Sequence, residues 1–501
     1  MRTRMILIGL ISVVILALLA FVISSRLIKP KQDSSQVYWP TQSWFSSMPE
    51  EGGLNSVKLA EGLQAIQKQN SQIDSLLVIR NGAVLLDATF YPYDSKYLHD
   101  LASVTKSFMT TLIGIAADQG KLNLDQPVLS FFPERTIANR DARKERLTVR
   151  HLAEMMNGFE SGCVKGDNPT IEAMRANPDW VQAALDRKMV SEPGTQNTYD
   201  SPGMHLLSAI LQKATGMTAL EFARKNLFEP LGIREVYWKS DPQGYTHGWG
   251  DLHLKPGDAA KLGYLWLSNG VWEGKQIVSA DWVKDSVKYH SDFGGGDGYG
   301  YGWWLWEGGY SAEGRGGQAV KVTPVLNAIV VTTGGGFDYD SEVNQHLIAA
   351  VVDTNKPLPA NPAGVARLAA MLTELAQPVA PQPVGALPDT AKAISGKTYV
   401  FGPNTGDVET LGLEFNDSAE AILHIKYTGN AILTSRVGLD GIYRPTSEGE
   451  LRRGYWADSQ TFILEIFDIG EHTFRIHFED DHVMIESPEL GISFEGQLKK
   501  P

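Results

Sequence analysis

The stretch DLASVTKSFMTTLIGIAADQG, residues 100–120, decides the fold. Its apolar residues recur at helical spacing and the run ends at Gly120, so it predicts a helix. Ser103 and Lys106 lie three residues apart at its beginning, and positions i and i+3 share one face of a helix. A desolvated lysine can accept the proton of a neighbouring serine hydroxyl. The pair therefore predicts an activated nucleophile or, alternatively, a solvated lysine on a surface turn.

Strand-like runs lie on both sides of a helix-rich middle region. Residues 76–90 form two apolar runs around Asn81 and Gly82, which predicts a hairpin. Residues 321–335 predict another strand, and the pattern between about 145 and 290 is mostly helical. This order predicts an α+β domain at residues 55–377, with an antiparallel sheet built from distant parts of the chain.

A second, smaller domain follows a proline-rich linker at residues 378–389. Beyond the linker the apolar period changes to two, which is typical of half-buried antiparallel strands. The alternating residues are Leu411, Leu413 and Phe415; Leu423, Ile425 and Tyr427; Phe462, Leu464 and Ile466; and Phe474, Ile476 and Phe478. Residues 390–501 are therefore predicted to form a small all-β barrel or sandwich.

The N-terminal region predicts a membrane segment. Residues 5–24 carry no charge and are long enough to cross a bilayer as a helix. The pattern favours an uncleaved anchor over a cleaved signal peptide, with residues 1–4 as a cytoplasmic tip and 25–54 as a tether. We expect the protein to be membrane-anchored and extracytoplasmic, either periplasmic or on the outer face of a bacterial cytoplasmic membrane.

The composition limits the partners and the chemistry. The 501 residues are 43% hydrophobic and 21% charged, as in a globular protein, and the net charge of −13 argues against nucleic-acid binding. The single cysteine, Cys163, excludes an intramolecular disulfide. The histidines lack the spacing of metal ligands, so neither a metal nor a cofactor is expected.

The chain resembles the serine hydrolases related to class C β-lactamases, a family that includes DD-peptidases, carboxylesterases and 6-aminohexanoate-dimer hydrolases. The resemblance covers about residues 60–350 and rests on LASVTKSF, LIGIAADQGKLNLDQPVLSFFPE, LTVRHLAEMMNGF and LKPGDAAKLGYLWLSNGVWEGKQIVSADWV, in this order and with matching spacing. It implies an αβα β-lactamase/transpeptidase-like fold, with an antiparallel sheet and an all-helical insert. It also implies that Ser103 is the nucleophile and Lys106 its partner.

The second motif of that family is Tyr-x-Asn, and TYDSPG stands in its place. The resemblance implies that Tyr199 relays protons beside Ser103 and Lys106; the alternative is a half-buried aromatic residue. Ser201 occupies the position where the family has asparagine, so the contact to an amide substrate at that point is in doubt.

The third motif position is occupied by EGRGGQAVKVTP. The resemblance implies an oxyanion hole made by the backbone amides of Ser103 and Gln318, with Gly317 allowing close approach of the backbone. Arg315 would hold a substrate carboxylate or orient the site. The alternative is a glycine-rich turn.

Three further residues are candidates for the walls of the site. His247, in YTHGWGDLHL, would contact substrate or serve as a structural hydrogen-bonding group. Trp303 and Trp304 are predicted to form core and pocket wall.

Together these features predict a serine hydrolase that forms an acyl-enzyme with a small ester, amide or peptide. One alternative is a β-lactamase or DD-carboxypeptidase. Another is a non-catalytic penicillin-binding or sensor protein on the same fold.

Overall fold

The computed structural model describes residues 38–161, 169–293, 298–354, 356–404, 406–416, 418–428 and 432–500. The chain divides into two compact units, Met1–Trp39 and Pro40–Pro501, and only Tyr38 and Trp39 of the first are described. The predicted membrane segment and Cys163 lie outside the described residues. Within the described residues, no helix combines the length and the apolar character needed to cross a membrane.

The described residues of the first domain form fourteen strands, several of them only two residues long. They are β1 (Phe45–Ser46), β2 (Ile73–Arg80), β3 (Ala83–Thr89), β4 (His99–Asp100), β5 (Tyr237–Trp238), β6 (Leu252–Leu254), β7 (Val271–Trp272), β8 (Lys275–Gln276), β9 (Ser291–Asp292), β10 (Gly298–Tyr299), β11 (Trp304–Trp306), β12 (Gly309–Gly314), β13 (Gln318–Thr323) and β14 (Ala328–Gly334).

The α-helices surround and follow these strands. They are α1 (Ser56–Lys68), α2 (Thr105–Asp118), α3 (Ala142–Arg146), α4 (Val149–Ala153), α5 (Pro169–Arg175), α6 (Trp180–Asp186), α7 (Ser201–Thr215), α8 (Ala219–Ala223), α9 (Glu229–Leu231), α10 (Pro256–Leu267), α11 (Ala280–Ser286), α12 (Gln345–Ala350), α13 (Pro362–Leu375) and α14 (Asp389–Ile394).

The main sheet, as far as the structure describes it, has nine strands in the order β1-β3-β2-β14-β13-β12-β11-β10-β9. Only the β1–β3 pair at one edge is parallel; the other pairs are antiparallel, as the sequence predicts. The hairpin predicted around Asn81 and Gly82 is confirmed. Both residues have a positive φ, 51° and 76°, which matches the right-handed twist of the flanking strands.

Helices cover both faces of this sheet. Ile329 and Val330 are neighbours on β14, so their side chains point to opposite faces. On the Val330 side, α1, α12 and α13 pack against β2 and β3. On the Ile329 side, α10 approaches so closely that a Cβ on Gly263 would lie 3.2 Å from Ile329 Cγ2. The predicted αβα fold is confirmed.

The predicted all-β domain is also confirmed, and it is a closed barrel. Its strands are β15 (Thr398–Phe401), β16 (Val408–Phe415), β17 (Glu420–Tyr427), β18 (Ile432–Gly438), β19 (Arg444–Pro445), β20 (Leu451–Trp456), β21 (Thr461–Asp468), β22 (Gly470–Glu479), β23 (His482–Ser487) and β24 (Ile492–Leu498). Pairing of β18 with β20 closes the sheet, and the alternating apolar side chains fill the interior.

Candidate active site

Ser103 and Lys106 lie together at the beginning of α2. Lys106 Nζ donates a hydrogen bond of 2.7 Å to Ser103 Oγ and another of 2.9 Å to the carbonyl of Trp249. The lysine side chain is buried, with 1% of its surface exposed. The alternative of a solvated surface lysine is therefore wrong.

Ser103 itself lies in a short 3-10 turn, Ala102–Val104, just before α2. The preceding residue, Ala102, has a φ of 46°, a left-handed conformation that costs a non-glycine residue free energy. The Asp100 carboxylate accepts a 2.8 Å hydrogen bond from the Ala102 amide and holds this turn. The strained turn fixes Ser103 at the N-terminus of α2.

Tyr199 lies on the other side of Lys106. Lys106 Nζ is 4.8 Å from the centre of the Tyr199 ring. Trp304 stacks on the tyrosine with ring centres 6.0 Å apart, and Phe293 contacts it edge-on at the same distance. Trp303, by contrast, is fully buried in the core. The structure thus brings Ser103, Lys106 and Tyr199 together, with Trp304 as a wall.

A buried ion pair next to Tyr199 was not predicted from the sequence. Arg187 makes two hydrogen bonds to the Asp200 carboxylate, at 2.6 and 2.9 Å, and Asn157 Nδ2 donates to the same carboxylate at 2.8 Å. Asp200 has no exposed surface. The pair fixes the residue that follows Tyr199 in the chain. Ser201 is also buried and begins α7.

His247 lies in the tight loop between β5 and β6, where neighbouring side chains hold its ring. Its ring stacks on Trp249 with centres 4.6 Å apart, and its Nδ1 is 2.8 Å from Asp251 Oδ2. A Cβ on Gly248 would lie 2.0 Å from the carbonyl oxygen of Met204, so only glycine permits this approach to α7. The loop thereby positions the Trp249 carbonyl, which accepts the hydrogen bond from Lys106 Nζ. Substrate contact by His247 remains a prediction.

Asp251 carries the charge in this loop. Burial alone would raise its pKa, but Lys239, 3.7 Å away, and the His247 hydrogen bond outweigh burial and hold the pKa of Asp251 well below its usual range. The carboxylate therefore stays ionised and holds Lys239 and His247 on either side of it.

The third predicted segment joins β12 to β13 directly beside Ser103. Gly314 pairs with Gln318, and the Gln318 side chain bonds to the backbone of Gly334 at both its oxygen and its nitrogen. Gly317 has a φ of 90°, as a tight turn requires. Arg315 is exposed, with one guanidinium nitrogen 3.9 Å from Asp100 Oδ2.

We expect Gly314→Ala to slow the reaction of Ser103 with a serine-directed fluorophosphonate by about tenfold or more. The new Cβ would lie 2.8 Å from the Ser103 amide nitrogen and 2.8 Å from the Ala102 Cβ, so the strand must move away from the serine. Gly402→Ala, where no atom lies within 4 Å of the new Cβ and φ is not positive, is the matched control. Comparable losses in both variants would contradict this prediction.

Two solved structures have a fold similar to that of this chain. A Bacillus anthracis protein assigned as a 6-aminohexanoate-dimer hydrolase is similar in structure, with a TM-score of 0.53 and 18% identity over 64% of this chain and 90% of that chain. EstCE1, a hydrolase with promiscuous acyltransferase activity, has a TM-score of 0.50 and 18% identity over 60% of this chain and 99% of its own.

Two of the curated relatives that match in sequence are representative. Protein flp of Staphylococcus aureus strain MRSA252 is 25% identical over 192 residues, and a Beta-lactamase of Escherichia coli K12 is 24% identical over 172 residues. The matches cover 36% and 33% of this chain, and 38% and 43% of the relatives. The chain thus matches about two fifths of the length of these relatives.

The family model for Beta-lactamase matches residues 61–371. This match spans most of the chain and includes the Ser103 turn, the Tyr199 segment and the strand that begins at Gln318. The chain therefore belongs to the Beta-lactamase family.

Proposed function

We propose that this protein is a serine hydrolase that cleaves a small ester or amide through an acyl-enzyme. The observation that carries the proposal is the 2.7 Å contact between Ser103 Oγ and the buried amine of Lys106. A hydroxyl becomes a competent nucleophile only when a base lies within hydrogen-bond reach.

In the proposed reaction, Ser103 Oγ attacks the carbonyl carbon and its proton passes to Lys106, with Tyr199 next to it. The backbone amides of Ser103 and Gln318 stabilise the negative charge on the carbonyl oxygen. When the bond to the leaving group breaks, the proton passes from Lys106 to the leaving group. Water then attacks the acyl-enzyme, and the same groups return the serine to its free state.

The proposal is tested by measuring the intact mass of the full chain after exposure to a fluorophosphonate. We expect one adduct per chain, located at Ser103 by peptide mapping and absent from Ser103→Ala. Ser107→Ala is the matched control, because Ser107 lies one turn further along α2 and donates to the Gly302 carbonyl. An adduct that survives Ser103→Ala, or no adduct in the wild type, would overturn the proposal.

Two further probes separate the alternatives. Turnover of p-nitrophenyl butyrate without a lasting penicillin adduct supports the esterase or amidase. Rapid hydrolysis of a chromogenic β-lactam would favour a β-lactamase. A stable penicilloyl adduct without ester turnover would favour a DD-carboxypeptidase or a penicillin-binding sensor.

A further inference from the structure

A hydrogen bond between two side chains closes the turn that carries the Trp249 carbonyl. His247 Nδ1 lies 2.8 Å from Asp251 Oδ2, and the two residues are four positions apart in the chain. Trp249 is the middle residue of this turn. An ionised carboxylate only accepts hydrogen bonds, so the imidazole donates from Nδ1. We call this contact the 247–251 bridge.

The Asp251 end of the bridge is attached to the segment that carries the nucleophile. Asp251 has a φ of 61°, a left-handed conformation that is uncommon outside glycine. The next residue, Leu252, donates from its amide to Thr105 Oγ1 at 3.3 Å and accepts at its carbonyl from the Leu101 amide at 2.9 Å. These two hydrogen bonds lie on either side of Ser103 in the chain, so this end of the turn is fixed to the serine segment.

The His247 end of the bridge is held by its backbone and by its ring. The His247 amide donates to the Lys239 carbonyl at 2.9 Å, and its carbonyl accepts a 2.8 Å hydrogen bond from Trp238 Nε1. Trp180 packs against the stacked rings of His247 and Trp249, with ring centres 5.1 and 5.8 Å away. Because both ends of the bridge are held, the backbone between them has little freedom to rotate.

The carbonyl oxygen that this turn presents acts on the proposed base. It lies 2.9 Å from Lys106 Nζ, in a buried site. Burial favours the neutral amine, whereas a hydrogen bond donated to the carbonyl favours the ammonium. The contact also occupies one N–H of the neutral amine, which restricts where the nitrogen lone pair points, and Ser103 Oγ is 2.7 Å from the same nitrogen. The position of the carbonyl therefore affects both the proton affinity and the orientation of the base.

We propose that His247 and Asp251 are positioning residues for the base: the 247–251 bridge holds the Trp249 carbonyl against Lys106 and thereby sets the proton affinity of the amine. This inference rests on the proposed hydrolysis at Ser103. It assigns His247 a role that acts through Lys106 and not through contact with the substrate. His247 is 6% exposed, which leaves little surface for a substrate to touch.

Other titratable groups face both the base and the bridge. The Tyr199 ring centre lies 4.8 Å from Lys106 Nζ. The groups that face the bridge come from the end of β5, from α7 and from β6; they are Lys239, His205 and His253. All of these groups are unchanged in the variants below. A difference in pH dependence between those variants therefore reports on the bridge.

Two substitutions at position 247 separate the bridge from the packing of the ring. His247→Phe keeps an aromatic ring against Trp249 but has no donor for Asp251, whereas His247→Asn loses the ring and keeps a side-chain N–H near Nδ1. A fluorophosphonate reacts with the serine in one step and needs no later hydrolysis. We expect His247→Phe to lower its maximal inactivation rate, kinact, by about tenfold or more while the half-saturating concentration, KI, stays within about twofold. His247→Asn should keep kinact within about threefold of wild type.

The pH dependence of kinact is a readout that a mere loss of packing would not change. Inactivation needs the neutral amine, so kinact rises with pH to a plateau. Without the bridge, the Trp249 carbonyl stabilises the ammonium less, and the amine loses its proton at a lower pH. We expect the midpoint of this rise to move down by about 0.4–1 pH unit in His247→Phe and by less than about 0.2 unit in His247→Asn.

His424→Phe is the matched control. His424 Nε2 lies 3.1 Å from Glu414 Oε1 on strands of the barrel, so this change breaks a similar histidine–carboxylate contact in the other domain. It should leave kinact, KI and the midpoint unchanged. Asp251→Gly is a second way to remove the bridge, because glycine adopts the left-handed conformation at that position without strain. It should lower the midpoint as His247→Phe does.

Three results would overturn the positioning role. They are an unchanged midpoint in folded His247→Phe and Asp251→Gly, a larger loss of kinact in His247→Asn than in His247→Phe, and a higher KI with an unchanged kinact in His247→Phe. The third result would make His247 a substrate contact. A wild-type chain that does not react with the fluorophosphonate would overturn the proposed function itself, so the two failures are distinguishable.

Discussion

Lys106→Met is expected to reduce kcat for ester hydrolysis by about 10³- to 10⁴-fold while the protein stays folded. The amine contacts Ser103 Oγ directly, and no other amine is hydrogen-bonded to that oxygen in the described structure. Methionine keeps the length and the apolar volume of the buried stem, so the change removes the base and little packing. The measurement is steady-state hydrolysis of p-nitrophenyl butyrate, with circular dichroism as a check of folding.

The control for this variant is Lys121→Met. Lys121 is exposed just beyond the end of the same helix, so its replacement should leave kcat within about twofold. A folded Lys106→Met protein with more than a tenth of wild-type activity would show that a group other than Lys106 accepts the Ser103 proton.

Arg187→Met is expected to lower the free energy of unfolding by about 3–5 kcal/mol, because it leaves the Asp200 carboxylate buried without its cation. Asp200 is completely buried, and the Arg187 side chain is 11% exposed. Urea unfolding measures this change. Tyr199 precedes Asp200, so we also expect kcat to fall in whatever fraction of the protein stays folded.

Arg146→Met is the matched control for Arg187→Met. Arg146 also pairs with a carboxylate at 2.6 Å, that of Glu192, but the two side chains are 58% and 51% exposed. Such a surface pair contributes about 0–1 kcal/mol. The double variant Arg187→Met with Asp200→Asn should recover part of the lost stability, since no buried charge then remains unpaired. Equal losses for Arg187→Met and Arg146→Met would contradict the structural role given to Asp200.

The sequence predicts most of the fold because patterns of neighbouring residues determine where its turns and strands form. The pair Asn81 and Gly82 supplies the two positive φ angles that a tight hairpin needs. The alternation of Leu411, Leu413 and Phe415 sends every second side chain into the barrel. Such signals depend on neighbours in the chain and can be recognised without a structure.

The candidate site is only partly predictable for the opposite reason. The partners of Asp200 come from residues 43 and 13 positions earlier, and no periodicity links them. The Trp249 contact to Lys106 is made by a backbone carbonyl, a group that every residue possesses and no motif can single out. The hydroxyl of Tyr93, ten residues before Ser103, donates to the Asp468 carbonyl of the barrel, and these two residues are 375 positions apart.

The order of these elements along the chain has a consequence for synthesis. Strands β2 to β14 and helix α2, which build the surroundings of Ser103, are complete by Gly334. Ile469 and Gly470, which form the barrel turn that packs on Gly316 and Gly335, leave the ribosome more than a hundred residues later. A growing chain can thus assemble the surroundings of Ser103 before the barrel turn that packs on them exists, so any restriction that the barrel places on access to Ser103 is absent during that interval.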